Sequence, residues 1–132
     1  MTDIVWAEVD LKAIAHNVHE LRRVASSRAK LMAVVKANAY GHGASEVATV
    51  ALQNGADMLG VARLHEGIRL RKAGIDSPIL IFGYPPNEIE KLIEFDLTQN
   101  VYSYHIAETL SKTAVSYGKK IKIHFKVDTG MG

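Results

Sequence analysis

Lysine chemistry is the most specific suggestion in this chain. Lys36 follows the apolar run Leu31, Met32, Ala33, Val34 and Val35, and precedes Ala37, Asn38, Ala39, Tyr40, Gly41, His42 and Gly43. An apolar run that short reads as a buried strand rather than a helix. Lys36 is then expected at the strand's carboxyl end, the end at which α/β sheets bind substrates and cofactors. An ammonium beside an apolar wall is partly desolvated, which disfavours its charge and leaves more free amine to attack a carbonyl. Schiff-base formation needs that amine. Tyr40 adds a hydroxyl able to donate to an anionic group, and Gly41 and Gly43 permit turns closed to other residues. The helix opened by Ala44 and Ser45 brings its amino end near the lysine as a mild anion site. A strand-end lysine by itself is ordinarily a solvated cation; the loop that follows is what favours chemistry.

Other polar residues say less. His42 sits between glycines, where a histidine is more often a structural donor than a base. His16 and His19 are spaced three apart on one helix, which does not match an i, i+4 metal pair. His124 alternates with apolar neighbours and is read as facing the interior on one side of a strand. Phe82, before Gly83, either touches a cofactor ring or packs in the core.

These groups need a scaffold, and the hydrophobic pattern supplies an alternating one. Strands are predicted at Val5–Val9, Lys30–Lys36, Met58–Ala62, Pro78–Phe82, Thr98–Tyr102 and Lys120–Val127. Helices are predicted at Leu11–Ala25, capped by Asp10, and at Ala44–Asn54, Leu64–Ala73, Asn87–Phe95 and Ile106–Tyr117. Alternation with short loops implies right-handed βαβ units in a parallel sheet. The pattern alone leaves a doubly wound sheet and a barrel both open.

Composition excludes several classes. Of 132 residues, 48% are hydrophobic and 23% charged, ordinary for a soluble globular chain. A net charge of +2 implies no strong pull toward nucleic acid or membrane. With no cysteine, disulfides, zinc thiolates and thiol catalysis are ruled out. No signal peptide or membrane-length apolar stretch is visible, so the cytoplasm is the expected location.

Four segments, in order, resemble the alanine racemases. V-V-K-A-N-A-Y-G-H-G (Val34–Gly43) resembles that family's pyridoxal-phosphate lysine motif, and W-A-E-V-D-L-K-A-I-A-H-N (Trp6–Asn17) resembles its amino terminus. Gly60–Ile75 followed by Pro78–Gly83 is similar to its next strand, helix and strand. H-F-K-V-D-T-G-M-G (His124–Gly132) resembles its K-x-D-T-G-M-G-R segment.

The resemblance implies an α/β fold, a partial (β/α)8 TIM-type barrel truncated after about five barrel strands, since a full barrel takes about 250 residues. Residues 1–11 would form a strand packing with an absent carboxyl-terminal β domain, and residues 12–132 the amino-terminal part of a barrel binding pyridoxal 5'-phosphate. The implied activity is interconversion of L-alanine and D-alanine for cell-wall synthesis by two bases. Lys36 would hold the cofactor as a Schiff base and serve as one base, and Tyr40 would bind its phosphate. The opposing tyrosine would come from a partner subunit of a homodimer, beyond this chain. Lys126 resembles a family lysine that is carbamylated and holds an arginine placed next after Gly132. Without that arginine, Lys126 is expected unmodified, near Asp128 or solvent. Residues 1–132 alone are expected to be inactive. A non-catalytic pyridoxal-phosphate-binding barrel and a racemase of broader amino-acid range remain as alternatives.

Overall fold

A computed structural model describes residues 5–130, leaving Met1 to Ile4, Met131 and Gly132 outside the described residues. Helix α1 (Leu11–Val24) begins where the Asp10 carboxylate accepts from the N–H groups of Lys12 (2.8 Å) and Ala13 (3.2 Å), satisfying amides that have no helical acceptor. It lies against the helix α3 (Ala44–Gln53) and carries Arg22, which pairs with Asp57 at 3.0 Å. Asp57 also accepts from the Leu31 N–H at 2.6 Å and so fixes the entry to the first strand.

From there the chain repeats strand and helix: β1 (Met32–Val34), the five-residue segment α2 (Lys36–Tyr40), α3 (Ala44–Gln53), β2 (Met58–Val61) and α4 (Leu64–Lys72). It continues through β3 (Ile79–Ile81), α5 (Glu90–Glu94), β4 (Thr98–Val101), α6 (Tyr104–Ser116) and β5 (Ile123–Phe125). All five strands pair in parallel in the order β1-β2-β3-β4-β5. This order decides between the two architectures left open by the pattern. A doubly wound sheet reverses its strand order at a switch point. Here each new strand adds to the same edge, so right-handed crossovers put the helices on one face, as in an arc of a barrel.

Side-chain alternation gives the two faces different roles. Leu59, Val61, Ile79, Ile81, Leu97 and Val101 are buried with Ala48, Leu70, Leu92 and Leu110 of the helices. Met32, Val34, Met58, Gly60, Leu80 and Phe82 have the opposite parity and line the concave face. At the amino ends of β3 and β4, the Arg71 guanidinium donates to the carbonyls of Ile75 (2.7 Å), Ser77 (2.8 Å), Phe95 (2.9 Å) and Asp96 (2.9 Å). Burial lowers the guanidinium's pKa, opposed by the nearby carboxylates of Asp96 and Asp76.

Several elements differ from the sequence expectation. Val5–Val9 forms no strand, and Val5 and Trp6 are exposed. A strand needs a neighbouring backbone, and none of the described residues provides one for this segment. Lys30–Lys36 and Lys120–Val127 shrink to β1 and β5, edge strands with a neighbour on one side only. Ladder contacts run on past them, from the Val35 N–H to the Gly60 carbonyl and from the Lys126 N–H to the Val101 carbonyl, both 2.8 Å. The helix predicted at Asn87–Phe95 is confined to α5, starting four residues after Pro86. Among the described residues no helix is long and apolar enough to cross a membrane.

Candidate active site

Lys36 stands where the chain changes hand. Val35 is 1% exposed, but the run before it is not the buried strand expected: Met32 and Ala33 are half-buried and Val34 is 37% exposed, because β1 is an edge strand. Ala37, Asn38, Ala39 and Tyr40 then all have φ between 51° and 55°. For L-residues each left-handed position costs about 1–2 kcal/mol, and only asparagine among these visits it readily. Sequence reading placed the unusual backbone at Gly41 and Gly43, and both do have positive φ, but the left-handed run begins four residues earlier. Such strain persists only where surrounding contacts over-determine it.

Those contacts are dense. The Ala39 N–H donates to Val35 O at 2.9 Å, the Gly43 N–H to Asn38 O at 3.0 Å, and the Ala44 N–H to Asn38 Oδ1 at 3.0 Å. His42 Nδ1 lies 3.0 Å from Ala39 O and 3.3 Å from Tyr40 O. Two carbonyl acceptors require the proton on Nδ1, so His42 braces the turn as a donor. The amino end of α3 is not the open anion site expected from sequence. Asn38 already supplies its first amide, and the Glu46 carboxylate lies over Gly43.

Lys36 is half-buried and Tyr40 exposed, with Lys36 Nζ 6.0 Å from the centre of the Tyr40 ring. The β1–β2 register ends at Val34↔Gly60, and Val35 (ψ 23°) turns the chain out of the ladder, so Lys36 leaves the carboxyl end of β1 beyond the paired residues. Two strands away, the Phe82 ring lies over Gly60 and beside Met32. The Phe82 carbonyl accepts from Asn100 Nδ2 at 2.9 Å, while Gln99 Nε2 donates to Gly83 O at 2.8 Å, so two β4 amides hold the end of β3. The donor set fits an aldehyde bearing an anionic group. A primary amine can condense with the carbonyl, and the exposed Tyr40 hydroxyl can donate to the anion, since most of the turn's own amides are committed internally.

Lys126 lies just past β5, at the opposite edge of the sheet from Lys36, and is exposed. Asp128 Oδ1 accepts from the Gly130 N–H at 2.9 Å. The structure thus places Lys36, Tyr40, Phe82 and Lys126 all past the carboxyl ends of strands, with Lys126 at the opposite edge of the sheet from Lys36. His16 and His19 are exposed on α1.

Sequence reading missed Glu66. Its Oε1 accepts from the Ala37 N–H at 2.7 Å, and its Oε2 from the N–H groups of Ala62 (2.7 Å) and Arg63 (2.9 Å). A glutamate three residues into a helix start is half of a capping box. Arg63 at the N-cap, in place of serine or threonine, hides that signal.

Residues 9–132 match the family described as alanine racemase, N-terminal domain. The chain is 55% identical over 128 residues to an alanine racemase of Methanococcus maripaludis, covering 96% of this chain and 34% of that protein. The alanine racemase of E. faecalis superposes with a TM-score of 0.89 at 39% identity, over 94% of this chain and 34% of that one. That of Bacillus anthracis, solved with bound L-Ala-P, gives 0.86 at 39% identity, over 94% and 32%. The chain spans about a third of the length of these relatives, and its five-stranded sheet matches the amino-terminal part of their TIM-barrel fold.

Proposed function

This chain belongs to the alanine racemase N-terminal domain family, and on that premise we propose that it is the lysine-bearing barrel portion of an enzyme interconverting L-alanine and D-alanine. The observation that carries this reading is Lys36 on a braced left-handed turn at the carboxyl end of a singly wound parallel sheet, with the Tyr40 ring 6.0 Å from its Nζ. Pyridoxal 5'-phosphate, when bound, supplies the electron sink that acidifies the substrate's α-C–H bond. Lys36 Nζ would hold it through the aldehyde carbon and, when not so engaged, would be the group to take a proton from the substrate α-carbon on one face and return it. The Tyr40 hydroxyl would donate to its phosphate. Phe82, its ring over Gly60, adds apolar surface to the concave face.

The remaining parts of this reading call on groups other than Lys36 and Tyr40. The base for the other face is a tyrosine of a partner subunit in a homodimer, and residues 5–11 pack with a carboxyl-terminal β domain. Lys126 is the position for a carbamate when a cation faces it. The enzyme works in the cytoplasm.

Deuterium exchange at the α-carbon tests the reaction. Expressed with its native flanking sequence, the protein should exchange the α-hydrogen of both alanine enantiomers for solvent deuterium, dependent on added pyridoxal 5'-phosphate. Cofactor uptake without exchange would replace the racemase by a non-catalytic carrier, and comparable exchange of serine would broaden the substrate range.

A further inference from the structure

We propose that Glu66 is a positioning residue for Lys36, a role that rests on the reading of Lys36 given above. The Glu66 carboxylate is divided between two elements. Oε1 takes the Ala37 N–H at 2.7 Å, and Oε2 takes the Ala62 and Arg63 N–H groups that open α4, at 2.7 and 2.9 Å. The Ala37 nitrogen belongs to the peptide formed with the Lys36 carbonyl, so Glu66 fixes the peptide plane immediately after the lysine. On the other side, the Val35 carbonyl, in the peptide before the lysine, accepts from the Ala39 N–H at 2.9 Å, and one peptide earlier the Val35 N–H is held by Gly60 O at 2.8 Å. The backbone is thus held on both sides of Lys36, with Glu66 supplying the contact that comes from α4.

Ala37 is also the first left-handed residue, φ 51°. The contact from Glu66 is therefore placed where the backbone must be turned against its preference. Because the same carboxylate caps α4, the turn cannot shift without uncapping that helix. A glutamine cannot reproduce the arrangement. It has one acceptor oxygen, and its amide group would set N–H against N–H at the second position. The half-buried carboxylate also occupies the first amides of α4, closing that helix start to outside anions.

The test uses the protein with its native flanking sequence. Borohydride quenching after mixing with pyridoxal 5'-phosphate measures the rate at which label accumulates on Lys36, and hydrogen exchange without cofactor reads the Ala37, Ala62 and Arg63 amides. Glu66→Gln should slow Lys36 labelling about tenfold and open the Ala37 amide about tenfold faster, the effect of losing one strong hydrogen bond. Its melting temperature should stay close to that of the unmodified protein. Glu66→Ala should loosen all three amides together. Wild-type labelling rates in Glu66→Gln with a protected Ala37 amide would overturn the proposal. If the unmodified protein takes up no cofactor at Lys36, the functional reading falls, and amide exchange still judges the positioning role. Should both variants fail to fold, a through-hydrogen-bond coupling from the Ala37 nitrogen to Glu66 Cδ in the unmodified protein supports the role, and its absence contradicts it.

Discussion

The ring of Phe82 lies across Gly60: a Cβ built on that glycine would stand 2.5 Å from Phe82 Cζ and 2.7 Å from Cε2, with Met32 Sδ at 3.0 Å. Glycine in a strand interior ordinarily weakens it, so alanine there would normally help. Here the clash reverses the sign. Gly60→Ala is expected to cost about 1–3 kcal/mol, read as a lowered urea midpoint. A matching Phe82→Leu change should recover part of the loss, because the two sites share one space. Strict additivity of the two changes would contradict the packing described.

Arg71 provides a contrast at the other end of the sheet. Four carbonyls accept from one planar guanidinium, a fork that a lysine ammonium cannot copy. Arg71→Lys should destabilise the fold by at least about 2 kcal/mol. Cofactor labelling of Lys36 in the protein that remains folded should not change, since the clamp sits at the amino ends of β3 and β4. Loss of labelling with intact stability would be the opposite of what this geometry implies.

Tyr40→Phe tests the anion contact. Removing one charge-assisted hydrogen bond should raise the dissociation constant for pyridoxal 5'-phosphate about tenfold, with little change in the label's position on Lys36. Equal affinity for the two proteins, by titration of the cofactor's absorbance, would remove Tyr40 from the phosphate site.

Much of this was legible in the sequence, for local reasons. Asp10 before an apolar-periodic run announces α1, and the alternation of apolar runs with helical spacings gives every strand that forms. Lys36 was legible because a single charge ends a five-residue apolar run. What was not legible depends on contacts distant in sequence. The left-handed run from Ala37 to Tyr40 contains no glycine, and Glu66, which holds its first amide, lies 29 residues away. Val5–Val9 has strand-like alternation, yet a ladder requires a second strand, which no property of those five residues can provide. The strand order that separates a barrel arc from a doubly wound sheet is likewise a matter of pairing.

Residues 1–132 by themselves are expected to show no racemisation. Their sheet ends at β1 and β5 with unpaired edges, leaving the lysine's side open to water, and the base for the second face is not among their site residues. Mass analysis of the same chain in bicarbonate should find Lys126 as the free amine. Clear turnover by the purified chain, or a stable carbamate on Lys126, would show that these residues suffice where the account says they do not.

Borohydride reduction of the protein with its native flanking sequence, loaded with pyridoxal 5'-phosphate and followed by peptide mapping, tests the proposed role of Lys36 as the cofactor's tether most directly. A single modified peptide carrying the reduced cofactor on Lys36 is expected, and no label in Lys36→Ala protein that still folds. A label on Lys126 or any other lysine, or undiminished labelling of Lys36→Ala, would contradict it.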